Sequence, residues 1–300
     1  MIKISVILTT YNSALTLQNT LDSIFGQTDL NKDFTFELLV ADDCSTDKTQ
    51  QILRNNQVDF ICTEKHSGGP NKGRNLALKK VTGEYICFID HDDVWEPDKT
   101  RCQLLFAKNY PIVSTGYQII DHSFNRIINR FSDEYPRFYA SNETFLHCLA
   151  RDKKGQNFYF STLMIHADLK RHEFEESFGC VDFDWILRIF ENNPSVEIPQ
   201  MMMSRHVYSS NLSLNDEFSG KDFYYSLLTL ENYEEKYPEE TKKGIKNLYG
   251  SRARYFFLKN KMKHSRKYFL YSPFQIKNMA YLASSFICSN FIRKTFHFYG

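Results

Sequence analysis

Two hydrophobic periods take turns along the first 110 residues. "ISVILTT" (4–10), "FTFELLVA" (34–41), "VDFICTE" (58–64) and "EYICFID" (84–90) are short, nearly continuous apolar runs rich in β-branched and aromatic residues. Such runs mark strands covered on both faces. Between the first two, Leu17, Leu21, Ile24 and Phe25 fall on one side of a 3.6-residue repeat, which predicts an amphipathic helix over 14–26. "DDCSTDKTQQILRNN" offers Ser45 or Thr46 as the cap of a second helix. "HSGGPNKGRNLALKKVTG" places Pro70 in the first turn of a third helix and Gly83 past its end. A fourth helix is expected to open at Pro97 and run toward Lys108. Strand and helix in strict alternation predict an α/β fold, a parallel sheet with helices on both faces.

Regularity falls after Pro111. "PIVSTGYQII" (111–120) and "FYFSTLMIH" (158–166) read as strands of a mixed sheet. "VDFDWILRIFENNP" (181–194) reads as a helix that buries Phe183, Ile186, Leu187 and Phe190 and stops at Pro194. "SVEIPQMMMSRHVYSSNLS" (195–213) is a strand running into a polar loop. From residue 216 the pattern is helical and aromatic. The expected division is a domain over 1–215, itself split near residue 110, and a helical extension over 216–300.

Charge sharpens that division. Residues 241–300 hold 13 Lys and Arg and no Asp or Glu, whereas the first 240 hold 24 basic against 36 acidic residues, a net of −12. The seven cysteines include no C-x-x-C pair, which points to a reducing compartment and away from a disulfide framework or a zinc site. The amino-terminal run reads as a first strand without a cleavage pattern, and no window is long and apolar enough to span a bilayer. The expectation is a cytoplasmic protein. Its basic, aromatic stretch over 252–294 suits peripheral contact with an anionic membrane, or else a helical pair packed against the acidic body. Nucleic acid is not expected as a partner, given that acidic body.

In open α/β sheets, ligands bind beyond the carboxyl ends of the strands. Four polar clusters stand there: "TTYN" (9–12), "DDCSTD" (42–47), "EKHSGG" (64–69) and "DHDD" (90–93). In the last, a core strand delivers three carboxylates and an imidazole to one spot. Crowded carboxylates repel, so a cation or a set of hydrogen-bond donors should meet them. The plain alternative is a solvated strand-to-helix loop, with Asp93 as a turn residue.

"SVILTTYN", "LLVADDCSTDKT", "GGPNKGRN", "GEYICFIDHDDVWEPDK", "VDFDWILR" and "SRHVYSSNLS" together resemble the ordered motifs of family 2 glycosyltransferases with the GT-A fold, over roughly residues 2–213. The resemblance implies a GT-A (Rossmann-like) mixed, mostly parallel sheet, with a nucleotide-sugar half over 1–110, an acceptor half over 111–215 and a C-terminal helical extension. It implies a UDP-sugar donor, a saccharide or lipid-linked acceptor, polysaccharide assembly and an inverting route. Asp92 would be the ligand of Mn²⁺ or Mg²⁺, the hard cations that suit all-oxygen ligation. Asp90 would meet the ribose or a metal-bound water, and His91 would be a substrate-side accessory or a mere spacer. Thr9 and Tyr11 would cradle the base, Asp42 would accept from the uracil imide, and Arg74 and Asn75 would lie near the nucleotide. Asp182 matches the base, although Val181 replaces the Glu that usually precedes it. Asp184 points elsewhere on its helix and suits the helix dipole better than catalysis. His206 matches a position near diphosphate or metal, with Ser210 and Ser213 as weaker companions. Two rivals remain: a nucleotidyltransferase, for which the first loop has no glycine or basic residue, and an inactive nucleotide-sugar-binding protein.

Overall fold

The computed structural model describes residues 1–122, 125–131, 134–152, 154–208 and 215–286. Ser210 and Ser213 lie outside the described residues, as do positions 287–294 of the basic stretch.

Four parallel strands form the first half: β1 (Ile2–Thr10), β2 (Phe34–Asp42), β3 (Phe60–Cys62) and β4 (Tyr85–Asp90), in the spatial order β3-β2-β1-β4. Helices α1 (Leu17–Phe25), α2 (Thr49–Asn55) and α3 (Pro70–Leu78) connect them. β1 and β4 are buried on both faces, which is why they read as runs and not as alternations. Ile4, Val6 and Leu8 join Leu17, Leu21 and Ile24 of α1 in one core. On the other side of β4, Phe88 meets Phe160, Phe174 and Trp185 at ring separations of 4.8, 6.2 and 5.2 Å.

The second half adds β5 (Asp93–Trp95), β6 (Ile112–Asp121), β7 (Arg126–Arg130), β8 (Arg137–Tyr139), β9 (Met164–His166) and β10 (Ser195–Val207), with α4 (Lys99–Ala107), α5 (Glu143–Leu149) and α6 (Phe183–Phe190). The sheet continues from β4 through β9, β6 and β10 to β5, with β6–β10 parallel and β4–β9, β9–β6 and β10–β5 antiparallel. The mixed, mostly parallel sheet and the helical carboxyl-terminal region are as the sequence implied. Beyond the sheet lie α7 (Asp216–Glu231), α8 (Pro238–Leu258), α9 (Met262–Phe269) and α10 (Ile276–Ser284). The chain forms two compact units, Met1–Phe145 with Gly155–Ser219, and Leu146–Lys154 with Gly220–Gly300.

Four local expectations are corrected. The second helix begins at Thr49, not behind Ser45 or Thr46, because the Ser45 hydroxyl is spent on Asp42 and the Asp47 carboxylate accepts the Thr49 N–H. "FYFSTLMIH" is a 3-10 turn over Phe160–Thr162 followed by the short β9, since the Thr162 side chain and the Tyr159 backbone close a local hydrogen-bonded turn. In α6 the buried residues are Trp185, Ile186, Leu187, Ile189 and Phe190, and Phe183 is half-buried at the first turn. Asp93 is no solvated turn residue. It opens β5, pairs in register with Arg205 and is fully buried.

Candidate active site

Strand register assembles the site's floor. Thr9 lies opposite Ala41 on one side and Asp90 on the other, and Thr10 lies opposite Asp42, which pairs onward with Cys62. The ends of β3, β2, β1 and β4 therefore open onto one edge, where backbone N–H groups and side chains are free to meet a ligand.

At the β2 end, carboxylates are filled by protein donors. Asp42 is fully buried and accepts from the hydroxyls of Thr10 and Ser45, the Ser45 N–H and the Gln50 amide, at 2.5–3.0 Å. Asp43 accepts from the Thr63 hydroxyl at 2.7 Å and from the Ser67 N–H at 3.0 Å, and pairs with His66 Nδ1 at 2.8 Å. That imidazole lies flat on Tyr11, with ring centroids 4.1 Å apart and planes 19° from parallel. Tyr11 is 40% exposed, so its ring is presented at the edge of the sheet and not lost in the core. Neither His66 nor Asp43 stood out in sequence beyond its cluster, "EKHSGG" at the β3 end for His66 and "DDCSTD" at the β2 end for Asp43.

At the β4 end, the balance reverses. Asp92 takes up protons more readily than an ordinary carboxyl because it is buried and lies beside Asp90, with His91 working in the opposite sense. Burial and the charges of Asp90 and Asp92 push the Asp93 carboxyl well up, although the Ser161 hydroxyl donates to it at 2.5 Å. Its other oxygen is buried without a hydrogen-bond partner. Positive charge arrives from two sides. Arg74 of α3 reaches Asp90 at 3.0 Å, with its guanidinium 3.7 Å above the Phe160 ring. Arg74 is buried and Asp90 partly so, which sets the pair apart from a surface salt bridge. Arg205 of β10 lies 4.5 Å above the Tyr159 ring. Burial works against its charge, but Tyr159, Asp93, Tyr117 and Asp90 hold the proton more firmly than usual.

Strand β5 explains how this cluster forms. A three-residue strand directly after the acidic motif pairs with Met203–Arg205 and carries Arg205 and His206 to Asp92 and Asp93. It is too short to show as a period in sequence. His206 bonds His122 across 2.9 Å, and burial together with His122 favours the neutral ring, with Asp92 opposing. Tyr208 stacks on His122 at 4.4 Å. His91 contacts the Thr16 hydroxyl at 3.4 Å, and its carbonyl accepts from Thr20.

Asp182 stands at the amino-terminal cap of α6, and α3 braces the loop leading to it. Asn71 donates to the carbonyls of Glu175 and Val181. Asn75, expected beside the nucleotide, is buried and turned instead onto Phe174 and Glu176. A Cβ at Gly69 would fall 2.4 Å from the Gly179 backbone, and Gly179 itself has φ of +67°, so both positions require glycine. Asp184 forms an i,i+4 ion pair with Arg188 at 2.7 Å.

The profile of glycosyl transferase family 2 matches residues 5–172, more than half of the chain. The chain belongs to that family. Among its relatives, the poly(ribitol-phosphate) β-N-acetylglucosaminyltransferase TarS of Staphylococcus aureus is 45% identical over 97 residues, 31% of this chain and 17% of TarS. The UDP-Glc:α-D-GlcNAc-diphosphoundecaprenol β-1,3-glucosyltransferase WfgD of Escherichia coli is 32% identical over 132 residues, 43% of this chain and 50% of WfgD. The matched segment thus spans half or less of either relative. The fold likeness reaches further. TarS 1-349 in complex with UDP-GlcNAc superposes with a TM-score of 0.65 at 19% identity, over 97% of this chain and 91% of that one. GalNAc-T7 with UDP, GalNAc and Mn²⁺ gives 0.58 at 14% identity, over 85% and 51%.

Proposed function

We propose that this family member is an inverting glycosyltransferase that moves a sugar from a UDP-sugar to a hydroxyl of a saccharide or lipid-linked saccharide during polysaccharide assembly at the inner face of the cytoplasmic membrane. The observation that carries the reading is the acidic cluster of Asp90, Asp92 and Asp93, in which the carboxyls of Asp92 and Asp93 hold protons more tightly than usual while Arg74 and Arg205 close on the cluster. Such a cluster is unfinished without a further cation. Among the described residues, no three His, Cys, Asp or Glu side chains gather to hold a metal by themselves. The hard oxygens of Asp92 and its neighbour suit Mg²⁺ or Mn²⁺, which commonly keep water and substrate phosphate as their remaining ligands. Asp92 would hold the ion, which when bound supplies Lewis-acid neutralisation of the departing diphosphate.

The chain's own groups do the rest. Arg205 keeps its charge beside the cluster, and neutral His206 offers a hydrogen bond to diphosphate oxygens. On the nucleoside side, uracil takes the Tyr11 face that His66 covers, and the displaced imidazole leaves Asp43 to accept the imide N–H. Asp43 takes that role rather than Asp42 because one of its partners, His66, is a half-exposed imidazole on the Tyr11 face that can give way, whereas Asp42 is fully buried; the Thr63 and Ser67 donors stay with Asp43. Thr9 contributes from the adjoining strand end. Asp182 removes the acceptor proton as the hydroxyl attacks the anomeric carbon. One base and no second nucleophile calls for attack from the face opposite the diphosphate, which inverts the centre. Arg74 holds Asp90, and Asn75 positions the loop before Asp182.

A screen of UDP-, GDP- and CMP-sugars with Mn²⁺ or Mg²⁺ tests the reading by melting temperature and released nucleotide. UDP-sugars should stabilise the protein most and release UDP slowly in the absence of acceptor. Stabilisation by another nucleotide class alone, or by none, overturns it.

A further inference from the structure

Helix α10 faces the wrong way for a water-soluble surface. Ile276 is 92% exposed, Met279 41% and Phe286, just past the helix end, 71%, with Ala283 exposed between them. These positions, at i, i+3, i+7 and i+10, form one apolar stripe. The covered side carries the polar groups, with Asn278 and Ser285 buried beside Tyr281. The orientation is fixed by specific contacts. Arg254 donates to the Asn278 side-chain oxygen at 2.7 Å, Asn278 donates to the Pro273 carbonyl at 3.0 Å, and Tyr281 sets its edge on Phe257 at 5.0 Å. Turning the helix over to hide the stripe would break all three.

The apolar surface continues into the turn before α10, where Phe274 is 89% and Leu270 77% exposed. The preceding segment carries the exposed Lys259, Lys261, Lys263 and Lys267, the last two on α9, and no acidic residue occurs anywhere in 241–300. An apolar stripe in a segment whose formal charges are all cationic is complementary to one kind of surface, hydrocarbon edged by anionic headgroups. A soluble polyanion would use the lysines and leave the stripe in water. No helix among the described residues is long and apolar enough to cross a membrane, so the surface would rest on the bilayer and not span it.

We infer that the α9–α10 turn and the outer stripe of α10 dock this protein on an anionic lipid bilayer, Phe274 and Ile276 entering the interface and the α9 lysines meeting the headgroups. The inference deepens the proposal of a lipid-linked acceptor and draws its purpose from it, because docking would hold the enzyme where such an acceptor lies.

Flotation of the full chain with phosphatidylcholine vesicles, with and without phosphatidylglycerol, tests it, alongside UDP release from the donor identified in the screen. Wild type should float with anionic vesicles at low salt and stay behind with neutral ones. The double variant Phe274→Glu, Ile276→Glu should lose about tenfold or more of its bound fraction, and Lys263→Gln with Lys267→Gln several-fold, on the order expected for interfacial anchors. Both variants should keep wild-type UDP release, which checks their folding. Undiminished flotation of the Glu variant overturns the inference. So does a wild-type dimer that the Glu variant dissolves while vesicles change nothing, since the stripe would then pair with a second copy. A wild type that releases UDP but does not float with anionic vesicles removes the membrane surface alone. Intact docking without sugar-nucleotide turnover leaves the surface standing and removes the glycosyltransferase reading.

Discussion

The acidic segment 42–47 after β2 and the acidic segment 90–93 after β4 sit at the ends of strands that both flank β1, yet the protein treats their charges in opposite ways. In the first, carboxylates are answered by neutral donors. Asp42 accepts four hydrogen bonds, and Asp47 accepts from Ala14 and Thr49, so that its proton affinity falls even though burial alone would raise it. In the second, burial and mutual repulsion win, and Asp92 and Asp93 are both pushed up. Donors that satisfy a carboxylate within the chain build a turn. Carboxylates crowded together under burial, with their own arginines only partly offsetting the repulsion, hold free energy that an arriving cation would release. Asp42 and Asp47 of the first cluster are satisfied as architecture, and the second cluster is the one proposed as the site.

The largest effect that would break this contrast is in Asp92. Asp92→Asn keeps the size of the side chain and removes the charge that holds the cation, so sugar transfer and UDP release should both fall at least about 100-fold, about 3 kcal/mol of barrier. The melting temperature should hold or rise, since a repulsive pair is relieved. Asp47→Asn should do the reverse, lowering the melting temperature with little change in turnover. Two variants with the same profile would erase the distinction between the clusters.

Next in size is the base. Asp182→Asn should cost transfer a similar factor while leaving UDP-sugar affinity within a few-fold, because the base meets the acceptor and not the nucleotide. Asp184→Asn only breaks the exposed-side pair with Arg188 and should change transfer by a few-fold at most. An exchange of the two phenotypes would show that α6 presents the other carboxylate to the acceptor.

The parallel half was legible because buried strands and their connecting helices write different periods into the chain, and because each strand ends in residues of a marked type. What escaped were features made by tertiary pairing. β5 has three residues, too few for any period, yet its register with Arg205 gathers the site. Tyr159 and Ser161 looked like part of a strand, but a local turn sends the Tyr159 hydroxyl toward Asp90 at 3.4 Å and the Ser161 hydroxyl to Asp93. The motif read Asn75 as a residue near the nucleotide. Its amide faces the backbone of 174–176, a partner about 100 positions away that no local pattern could show. The outward stripe of α10 was visible as composition, and only the fold says which side of the helix is covered.

A smaller effect separates the two acids of the first cluster. Asp43→Asn should weaken UDP binding about tenfold, the scale of one charge-assisted hydrogen bond, with the loss in KM and little in kcat. Asp42→Asn should act mainly on stability. Titration calorimetry with UDP reads the first and thermal denaturation the second. Loss of UDP affinity from Asp42→Asn alone would return the base contact to Asp42.

The smallest effect tests the rule behind the comparison away from any ligand. Glu37 of β2 lies near the other end of the sheet, where it accepts from the Ser5 hydroxyl at 2.5 Å, from the Thr82 hydroxyl and N–H, and from Lys3 at 3.0 Å. Burial alone would raise its proton affinity, but these donors outweigh it and bring the carboxyl from 4.5 down to about 2. A carboxyl held lower in the folded than in the unfolded chain stabilises the fold above its unfolded value, and the contribution disappears as pH falls through the folded one. Glu37→Gln should therefore lower the melting temperature by a few degrees at pH 7. The gap between variant and wild type should narrow as the pH drops from 4.5 toward about 2. Thermal unfolding of the two proteins across that range is the measurement. A gap that widens on acidification would mean that hydrogen-bond donors do not lower a carboxyl here, and the reading of Asp42 and Asp47 as satisfied architecture would fall with it.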